Sequence, residues 1–243
     1  MTHKTLIAIV NARSRQHSWA EAVRSTWFKQ TPSDKSDVKF FVGRGDSVVP
    51  EDTVELDCDD SYLGLPDKVR EIVRYAYSHE YRYVLKCDDD VILKPNLWLK
   101  SGYDEHKYSG RANRRPNARD NFYIPMGFFY VMDRECMGFV KDASLPSPHN
   151  NDDERWVAKI LFENGIELHD DKRAHLYMGG LKDIPPRVNR PLRIGTRAQT
   201  EIKFENAFAW CVFMETGGRE QKIPVEKKIE EFHRIFQKYG ERP

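Results

Sequence analysis

The stretch YRYVLKCDDDVILKP, residues 81–95, sets three consecutive aspartates between two short apolar runs. The first run is typical of a buried β-strand, so Asp88, Asp89 and Asp90 are expected at the carboxyl end of a strand. Neighbouring like charges raise one another's pKa values, and a capping turn does not require three acids in succession. A divalent cation would offset the repulsion, and carboxylate oxygens suit Mn²⁺ or Mg²⁺. The stretch therefore predicts a metal site, with a solvated turn as the alternative.

Strand and helix patterns alternate around this stretch. Capping residues and apolar periodicity mark the helices; one starts with a capping box of Ser18 and Glu21, and another ends before Gly165. We predict strands at 4–10, 38–43, 54–56, 81–87 and 122–133, and helices at 18–29, 65–81, 150–166 and 225–240. The alternation predicts an α/β fold with an open, mostly parallel sheet flanked by helices. Ligands bind outside the carboxyl strand ends of such sheets, which favours a functional role for the aspartates.

Composition and charge limit the classes of function. The chain has 243 residues, 40% of them hydrophobic, and a formal net charge of +1, so no overall field favours nucleic acid or membrane. No apolar run is long enough for a membrane span or signal peptide, which predicts a soluble protein. Its four cysteines are widely spaced and predict free, buried thiols in a reducing compartment. Without an internal repeat or linker, residues 1–243 are expected to form one domain.

Two basic segments are candidates for phosphate binding. Arg13 and Arg15 directly follow the first strand, where they would meet a nucleoside diphosphate held by the aspartates. Residues 107–121 read as a long polar surface loop. The loop carries five basic residues: Lys107, Arg111, Arg114, Arg115 and Arg119. A solvated loop is the simpler interpretation, and contact with the phosphates of DNA is the alternative.

Four segments resemble, in order, motifs of one enzyme group. They are AEAVRSTW (20–27), DDSYLGLPDK (59–68), YRYVLKCDDDVIL (81–93) and DERWVAKILFENGI (153–166). Together they are similar to the β-1,3-galactosyltransferase and Fringe-like group, glycosyltransferase family 31. The resemblance implies a GT-A fold and a nucleotide-sugar donor. It also implies a nucleotide- and metal-binding half (1–100) and an acceptor-binding half (101–243) that ends in the C-terminal helix.

The resemblance implies roles for individual residues. Asp88 and Asp90 would bridge Mn²⁺ (or Mg²⁺) to the diphosphate of a UDP-sugar, with Asp90 preferred as the direct ligand. Glu154, or Asp153 after a one-residue slip, would be the general base. A late histidine would complete the metal shell, with His175 as the candidate and His169 behind it. The residues predicted to bind the donor are Arg13, Arg15, Arg24, Asp60, Lys68, Asp88 and Asp89.

The sequence departs from the family pattern in three places. The acidic pair reads Asp153–Glu154 where the family has Glu–Asp. Phe128 and Phe129 replace small residues of a glycine-rich element, which predicts an altered donor fit. The membrane anchor and cysteine pattern of the animal Golgi enzymes are missing, so we expect a cytoplasmic protein of bacterial or viral origin.

These observations predict a metal-dependent, inverting transfer from a UDP-sugar to an acceptor hydroxyl. The expected acceptor is a glycan or, through the basic loop, a hydroxylated (hydroxymethylated) base in DNA. Two alternatives remain: a metal-dependent phosphohydrolase or nuclease that uses the same aspartates, and a non-catalytic protein that binds sugar nucleotides. The oligomeric state is left open.

Overall fold

A seven-stranded sheet lies at the centre of the molecule. The computed structural model describes residues 4–114, 120–147, 152–176 and 209–211, with residues 230 and 234. Its strands are β1 (Thr5–Val10), β2 (Ser36–Val42), β3 (Thr53–Glu55), β4 (Tyr83–Asp88), β5 (Val91–Leu93), β6 (Tyr108–Arg114), β7 (Ile124–Asp133), β8 (His169–Asp170), β9 (Ala174–Leu176) and β10 (Ala209–Cys211). Its α-helices are α1 (Trp19–Ser25), α2 (Leu65–Ser78), α3 (Pro95–Trp98), α4 (Arg134–Lys141) and α5 (Asp153–Glu163).

The strand order explains where the site lies. The large sheet has the order β3–β2–β1–β4–β7–β6–β8, and β5–β10–β9 form a small second sheet. β3, β2, β1 and β4 are parallel neighbours, and β7 runs antiparallel to β4 and β6. β6 and β8 are again parallel. The predicted α/β fold with a mostly parallel sheet is therefore confirmed, and the carboxyl ends of β1, β2 and β4 meet at one edge.

The central strand β1 is buried along its whole length, as its apolar sequence predicts. Ile7 and Ile9 pack on one face of the sheet with Trp27 and Trp98. Side chains of the alternate positions, such as Leu6, pack on the other face against α2, α4 and α5. The sheet is thus covered on both sides, and chemistry is left to its edges.

The predicted helices at 18–29, 65–81 and 150–166 are confirmed with changed ends. α2 buries the predicted face of Val69, Ile72, Val73 and Ala76. α1 stops at Ser25, and a separate 3₁₀ turn, Trp27–Gln30, follows it. The Ser18 side chain makes no capping hydrogen bond, so the predicted capping box is wrong. At α5 the cap is Asp152, whose side chain accepts from the backbone N–H of Arg155.

The predicted surface loop at 107–121 is wrong for most of its length. Residues 108–114 form β6, which pairs with β7 and β8. The sequence hid this strand because few of its side chains enter the core and two register shifts interrupt its pairing with β7. Lys107 pairs with Glu135 at 2.7 Å, and Arg111 with Asp170 at 3.4 Å. Arg115 and Arg119 lie outside the described residues, as does the side chain of Arg114.

Three further predictions concern particular parts of the chain. Cys58, Cys87 and Cys136 are free and buried, as predicted; the side chain of Cys211 is not among those described. Within the described residues, every helix is too short or too polar to cross a membrane. The predicted helix at 225–240 lies outside the described residues except at positions 230 and 234, which are helical.

Candidate active site

The three aspartates at the end of β4 have different surroundings. β1 and β4 are in register so that Val10 lies beside Asp88, and the chain leaving β1 reaches the aspartates directly. The Asp88 side chain is 37% exposed. Asp89 and Asp90 are buried. The predicted donor site is therefore open to solvent at Asp88, while Asp89 is enclosed by protein.

Asp89 is held by the segment that follows β1. Its carboxylate accepts hydrogen bonds from Asn11 Nδ2 at 2.8 Å and from a guanidinium nitrogen of Arg15 at 3.1 Å. Burial raises the pKa of Asp89 to about 8, against the opposing charge of Arg15. Asp89 thus fixes Asn11 and Arg15, and its predicted direct contact with the donor stays a prediction.

Lys68 and Asp60 also hold the segment that follows β1. Lys68 Nζ donates to the Asn11 carbonyl at 2.9 Å and to Asp60 Oδ1 at 2.8 Å. Asp60 also accepts from the backbone N–H of Arg13 at 2.7 Å and of Gly43 at 2.5 Å. Burial raises the pKa of Asp60, but these hydrogen bonds outweigh it and leave the pKa below its ordinary value. The pair predicted to bind the donor thus shapes the loops that follow β1 and β2.

The three predicted donor-binding arginines are not equally available. Arg24 is 14% exposed and binds Asp52 through two nitrogens, at 2.7 and 2.8 Å. The Arg13 side chain is 11% exposed and contacts Gly43, Ser47 and Glu55. Arg15 keeps 45% of its side chain exposed. Only Arg15 combines a fixed position beside the aspartates with a guanidinium that an incoming anion can reach.

A buried lysine, Lys86, joins the aspartates to the acidic pair of α5. Lys86 Nζ donates to Asp88 Oδ1 at 2.7 Å and to the Gly127 carbonyl at 2.5 Å, and lies 3.7 Å from Asp153 Oδ2. Burial lowers the pKa of Lys86, but the charges of Asp153 and Asp88 outweigh it and hold the pKa above its ordinary value. Lys86 is therefore a permanent cation between the two predicted catalytic elements.

The acidic pair stands in the first turn of α5, against β7. Asp153 is buried and accepts a hydrogen bond from the Tyr130 hydroxyl at 3.0 Å. Burial raises the pKa of Asp153, and burial with the neighbouring Asp153 charge raises the pKa of Glu154 to about 8. A Cβ added at Gly127 would lie 2.9 Å from the Glu154 carboxyl carbon, so glycine is needed for this close approach.

The charges of this cluster do not balance. One ammonium, that of Lys86, faces the carboxyl groups of Asp88, Asp153 and Glu154. Asp153 and Glu154 therefore compete for one counter-charge, and Glu154 keeps its proton to a higher pH than usual. A carboxyl group with a pKa near 8 can both accept and release a proton near neutral pH.

The carboxylates of this edge are the candidate ligands of a metal ion. Within the described part of the chain, no three or more His, Cys, Asp or Glu side chains are grouped to hold an ion. The donor set still fits a divalent cation, because the local excess of carboxylate charge includes the exposed Asp88 and hard oxygen ligands suit Mn²⁺ or Mg²⁺. Asp88 and Asp90 together would fill only part of the ion's coordination shell and leave positions for a diphosphate and water.

The two candidate histidines occupy different places. His175 lies in β9, and β10 separates β9 from β5. The His175 backbone is therefore two strand spacings, or about 10 Å, from that of Ile92 in β5. Its backbone is thus near the aspartates, while its side chain is not among those described. His169 lies in β8, three strands or about 14 Å from β4, and stacks on His106 at 3.5 Å. His169 thus lies away from β4, and its fallback assignment to the metal stays a prediction.

Phe128 and Phe129 were expected to alter the donor fit. Both side chains are buried in the core cluster of the α1 face. Phe129 also lies beside Cys87 of β4 in the sheet register. The two rings are thus packing residues, and the element acts on the site through Gly127.

The sequence missed Asn11, Lys86 and Gly127 as site residues. Lys86 carried a usable signal, because a lysine inside an otherwise apolar strand needs a partner. Asn11 carried little, since its importance comes from contacts with three separate segments.

One comparison with known proteins agrees with the motif assignment. Residues 20–115 match the galactosyltransferase family model. A search of curated proteins finds no match. Among solved structures, the chain is similar to a putative nucleotide-diphospho-sugar transferase from Desulfovibrio desulfuricans G20, with 10% identity and a TM-score of 0.47 over 69% of this chain and 79% of that one. The family match confirms the predicted resemblance to galactosyltransferases over residues 20–115.

Proposed function

We propose that this glycosyltransferase moves a sugar from a UDP-sugar to an acceptor hydroxyl, with inversion at the anomeric carbon. One observation carries the proposal: Lys86 contacts both Asp88, at the predicted donor site, and Asp153, of the predicted base pair. Residues far apart in sequence thus meet where donor and acceptor must meet. The family match over residues 20–115 supports sugar transfer rather than phosphoester hydrolysis.

Glu154 is the preferred general base. Its carboxylate would take the proton of the acceptor hydroxyl as the oxygen attacks the anomeric carbon, a step worth about 10²–10⁴-fold in rate. Asp153 is less suited, because it already accepts from Tyr130 and lies beside Lys86. Direct displacement with a single base inverts the configuration, so an α-linked donor gives a β-linked product.

The donor side would use the residues at the ends of β1 and β4. Asp88 and Asp90 would hold a divalent cation, with His175 as a further candidate ligand. Such an ion supplies positive charge that stabilises the departing diphosphate. Arg15, fixed by Asp89 and partly exposed, would contact the diphosphate directly. Asp60 and Lys68 would act indirectly by holding the loops that position Arg13 and Asn11.

A glycan is the acceptor that we propose. The alternative acceptor, a hydroxymethylated DNA base, required a loop of free basic side chains. Lys107 and Arg111 are instead paired with Glu135 and Asp170. These pairs reduce the positive charge that the described part of the segment can offer to a phosphate backbone, so Lys107 and Arg111 give the DNA acceptor no support.

The proposal is tested by thermal shift and transfer assays with a panel of UDP-sugars, with and without Mn²⁺. Binding of a UDP-sugar should raise the melting temperature, and Mn²⁺ should increase the shift. Asp90→Ala should lose the Mn²⁺-dependent part while the unliganded protein stays folded. Arg74→Ala, at an exposed helix position, is the control.

The rival functions give different outcomes. Phosphoester cleavage without sugar transfer would favour a hydrolase. Donor binding with neither transfer nor donor hydrolysis would favour a non-catalytic binding protein. Unchanged Mn²⁺-dependent turnover in Asp90→Ala would falsify the metal assignment.

A further inference from the structure

Two consecutive apolar side chains stand exposed at the carboxyl edge of the sheet. Tyr62 is 73% exposed and Leu63 is 59% exposed, on the 3₁₀ turn Tyr62–Gly64 that precedes α2. Together they form a small apolar surface that is open to a ligand. We call Tyr62 and Leu63 the platform.

The turn that carries the platform is tightly closed. The Asp59 carboxylate accepts from the backbone N–H of Ser61 at 3.1 Å and from the Ser61 hydroxyl. Gly64 N–H donates to the Ser61 carbonyl at 3.1 Å. A Cβ added at Gly64 would lie 2.6 Å from the Asp59 carbonyl oxygen, so the turn packs against Asp59 without room for a larger residue. A ligand binding to a preformed surface of this kind loses little conformational entropy.

The platform lies at the carboxyl edge of the sheet, because Asp60, two residues before Tyr62, accepts hydrogen bonds from the backbone N–H groups of Arg13 and Gly43. Partial burial, and then the charges of Glu154, Asp153 and Asp88, raise the pKa of Tyr62. The Tyr62 hydroxyl therefore lies within electrostatic reach of these carboxyl groups, with Glu154 having the largest effect of the three. The turn packs on α2, and α2 in turn packs on α5, which carries Glu154. The platform thus lies at the same edge of the sheet as the predicted base and within its electrostatic reach.

We propose that the platform binds the acceptor as a pyranose ring, whose C–H face packs on Tyr62 and Leu63 while one hydroxyl points to Glu154. This inference rests on the proposed function, since Glu154 is taken as the base. The C–H groups of a sugar are attracted to an aromatic ring by the dispersion forces that also act between packed apolar side chains. The position within electrostatic reach of Glu154 favours the acceptor, since the donor diphosphate is assigned to Arg15 and the aspartates.

The experiment measures two ligands on the same protein. Binding of methyl β-D-galactopyranoside and methyl β-D-glucopyranoside is followed by saturation-transfer NMR in the presence of UDP and Mn²⁺, and UDP affinity is measured separately. In Tyr62→Ala we expect pyranoside affinity to fall about tenfold, with UDP affinity unchanged. Tyr62→Phe should retain pyranoside binding, because the ring and not the hydroxyl makes the contact. Leu63→Ala should lose about threefold.

The control is Phe139→Ala, which removes another exposed aromatic ring, on α4. It should bind both ligands like the wild-type protein. Three results would overturn the platform: no pyranoside binding to a wild-type protein that binds UDP, equal pyranoside affinity in Tyr62→Ala, or a loss confined to UDP, which would indicate contact with the donor base. Failure of the wild-type protein to bind UDP or any UDP-sugar would instead sink the proposed function, and the platform with it.

Discussion

Lys68 and Lys86 are both buried near the carboxyl edge of the sheet, yet their surroundings differ in charge balance. Lys68 faces one carboxylate, Asp60, and the carbonyl of Asn11. Hydrogen bonds hold the pKa of Asp60 below its ordinary value despite burial, so that pair is ionised and balanced. Lys86 faces Asp88, Asp153 and Glu154, and the pKa values of the last two are raised, first by burial.

The difference separates structure from function. A balanced buried pair has its charges satisfied within the protein, and its role is to hold loops in place. An unbalanced cluster keeps a tendency to bind a proton or a cation, which is what catalysis requires. Asp89 is an intermediate case, because Asn11 and Arg15 bind its carboxylate while burial still raises its pKa to about 8.

The largest expected effect is on transfer by Glu154→Gln. Because the amide cannot accept the acceptor proton, the rate of transfer should fall about 10²–10⁴-fold while UDP-sugar binding is retained. Steady-state transfer and donor titration measure the two quantities. Asp153→Asn is the matched variant: if it alone loses transfer, the base is Asp153.

Glu154→Gln should also change stability in a pH-dependent way. The pKa of Glu154 is about 8 in the folded protein, above its ordinary value of 4.5. The folded state therefore holds the proton more tightly, and stability falls as pH rises from about 4.5 to about 8. Glutamine removes that loss, so the variant should melt at a higher temperature than the wild-type protein near pH 9.

The two lysines should respond differently to replacement by methionine. Lys68→Met removes the cation beside the partly buried Asp60, which keeps its hydrogen bonds from the backbone N–H groups of Arg13 and Gly43, so unfolding free energy should fall by about 1–3 kcal/mol at any pH from about 5 to about 9. Lys86→Met should reduce the unfolding free energy less at the acidic end of this range than at the alkaline end, since Asp153 and Glu154 can be neutralised by protons at low pH. Denaturant unfolding of both variants across this pH range checks the difference. Equal, pH-independent losses would show that the two sites do not differ in the way proposed.

Local patterns predicted most elements, and tertiary contacts explain what they missed. The helical period of α2 and the continuous apolar run of β1 placed both elements correctly. β6 was missed because pairing with β7 and β8, rather than apolar side chains, holds it in the sheet. Its basic residues suggested a loop, since their acidic partners come from distant segments.

The candidate site was predicted only in part, because some of its residues also depend on contacts with distant segments. The strand-end rule placed the aspartates at the correct edge, and the motif placed Asp153 and Glu154. Arg24 was assigned to the donor because sequence gives no sign of Asp52, which binds it from 28 positions away. Lys86 lay inside the quoted motif, but its role depends on Asp153, 67 positions further along the chain.

A smaller expected effect is the pH dependence of the rate. If Glu154 is the base, it acts only when deprotonated, so transfer should increase with pH and level off above about 8. One unit below that value the rate should be about tenfold lower. The profile of kcat/KM for the acceptor measures this pKa in the free enzyme. A profile that is flat between about pH 6 and about pH 9 would contradict the assignment.

The smallest expected effect on stability is that of Arg15→Met. Asp89 keeps its hydrogen bond to Asn11 and, with a pKa raised to about 8, is protonated near neutral pH once Arg15 is removed, so unfolding free energy should fall by only about 1 kcal/mol there. UDP affinity should nevertheless fall about tenfold, because a charge-assisted contact with the diphosphate is lost. Calorimetric titration with UDP measures this, and Arg74→Met, at an exposed position on α2, is the control. Unaltered UDP affinity would show that Arg15, like Lys68 and Asp60, has a structural role.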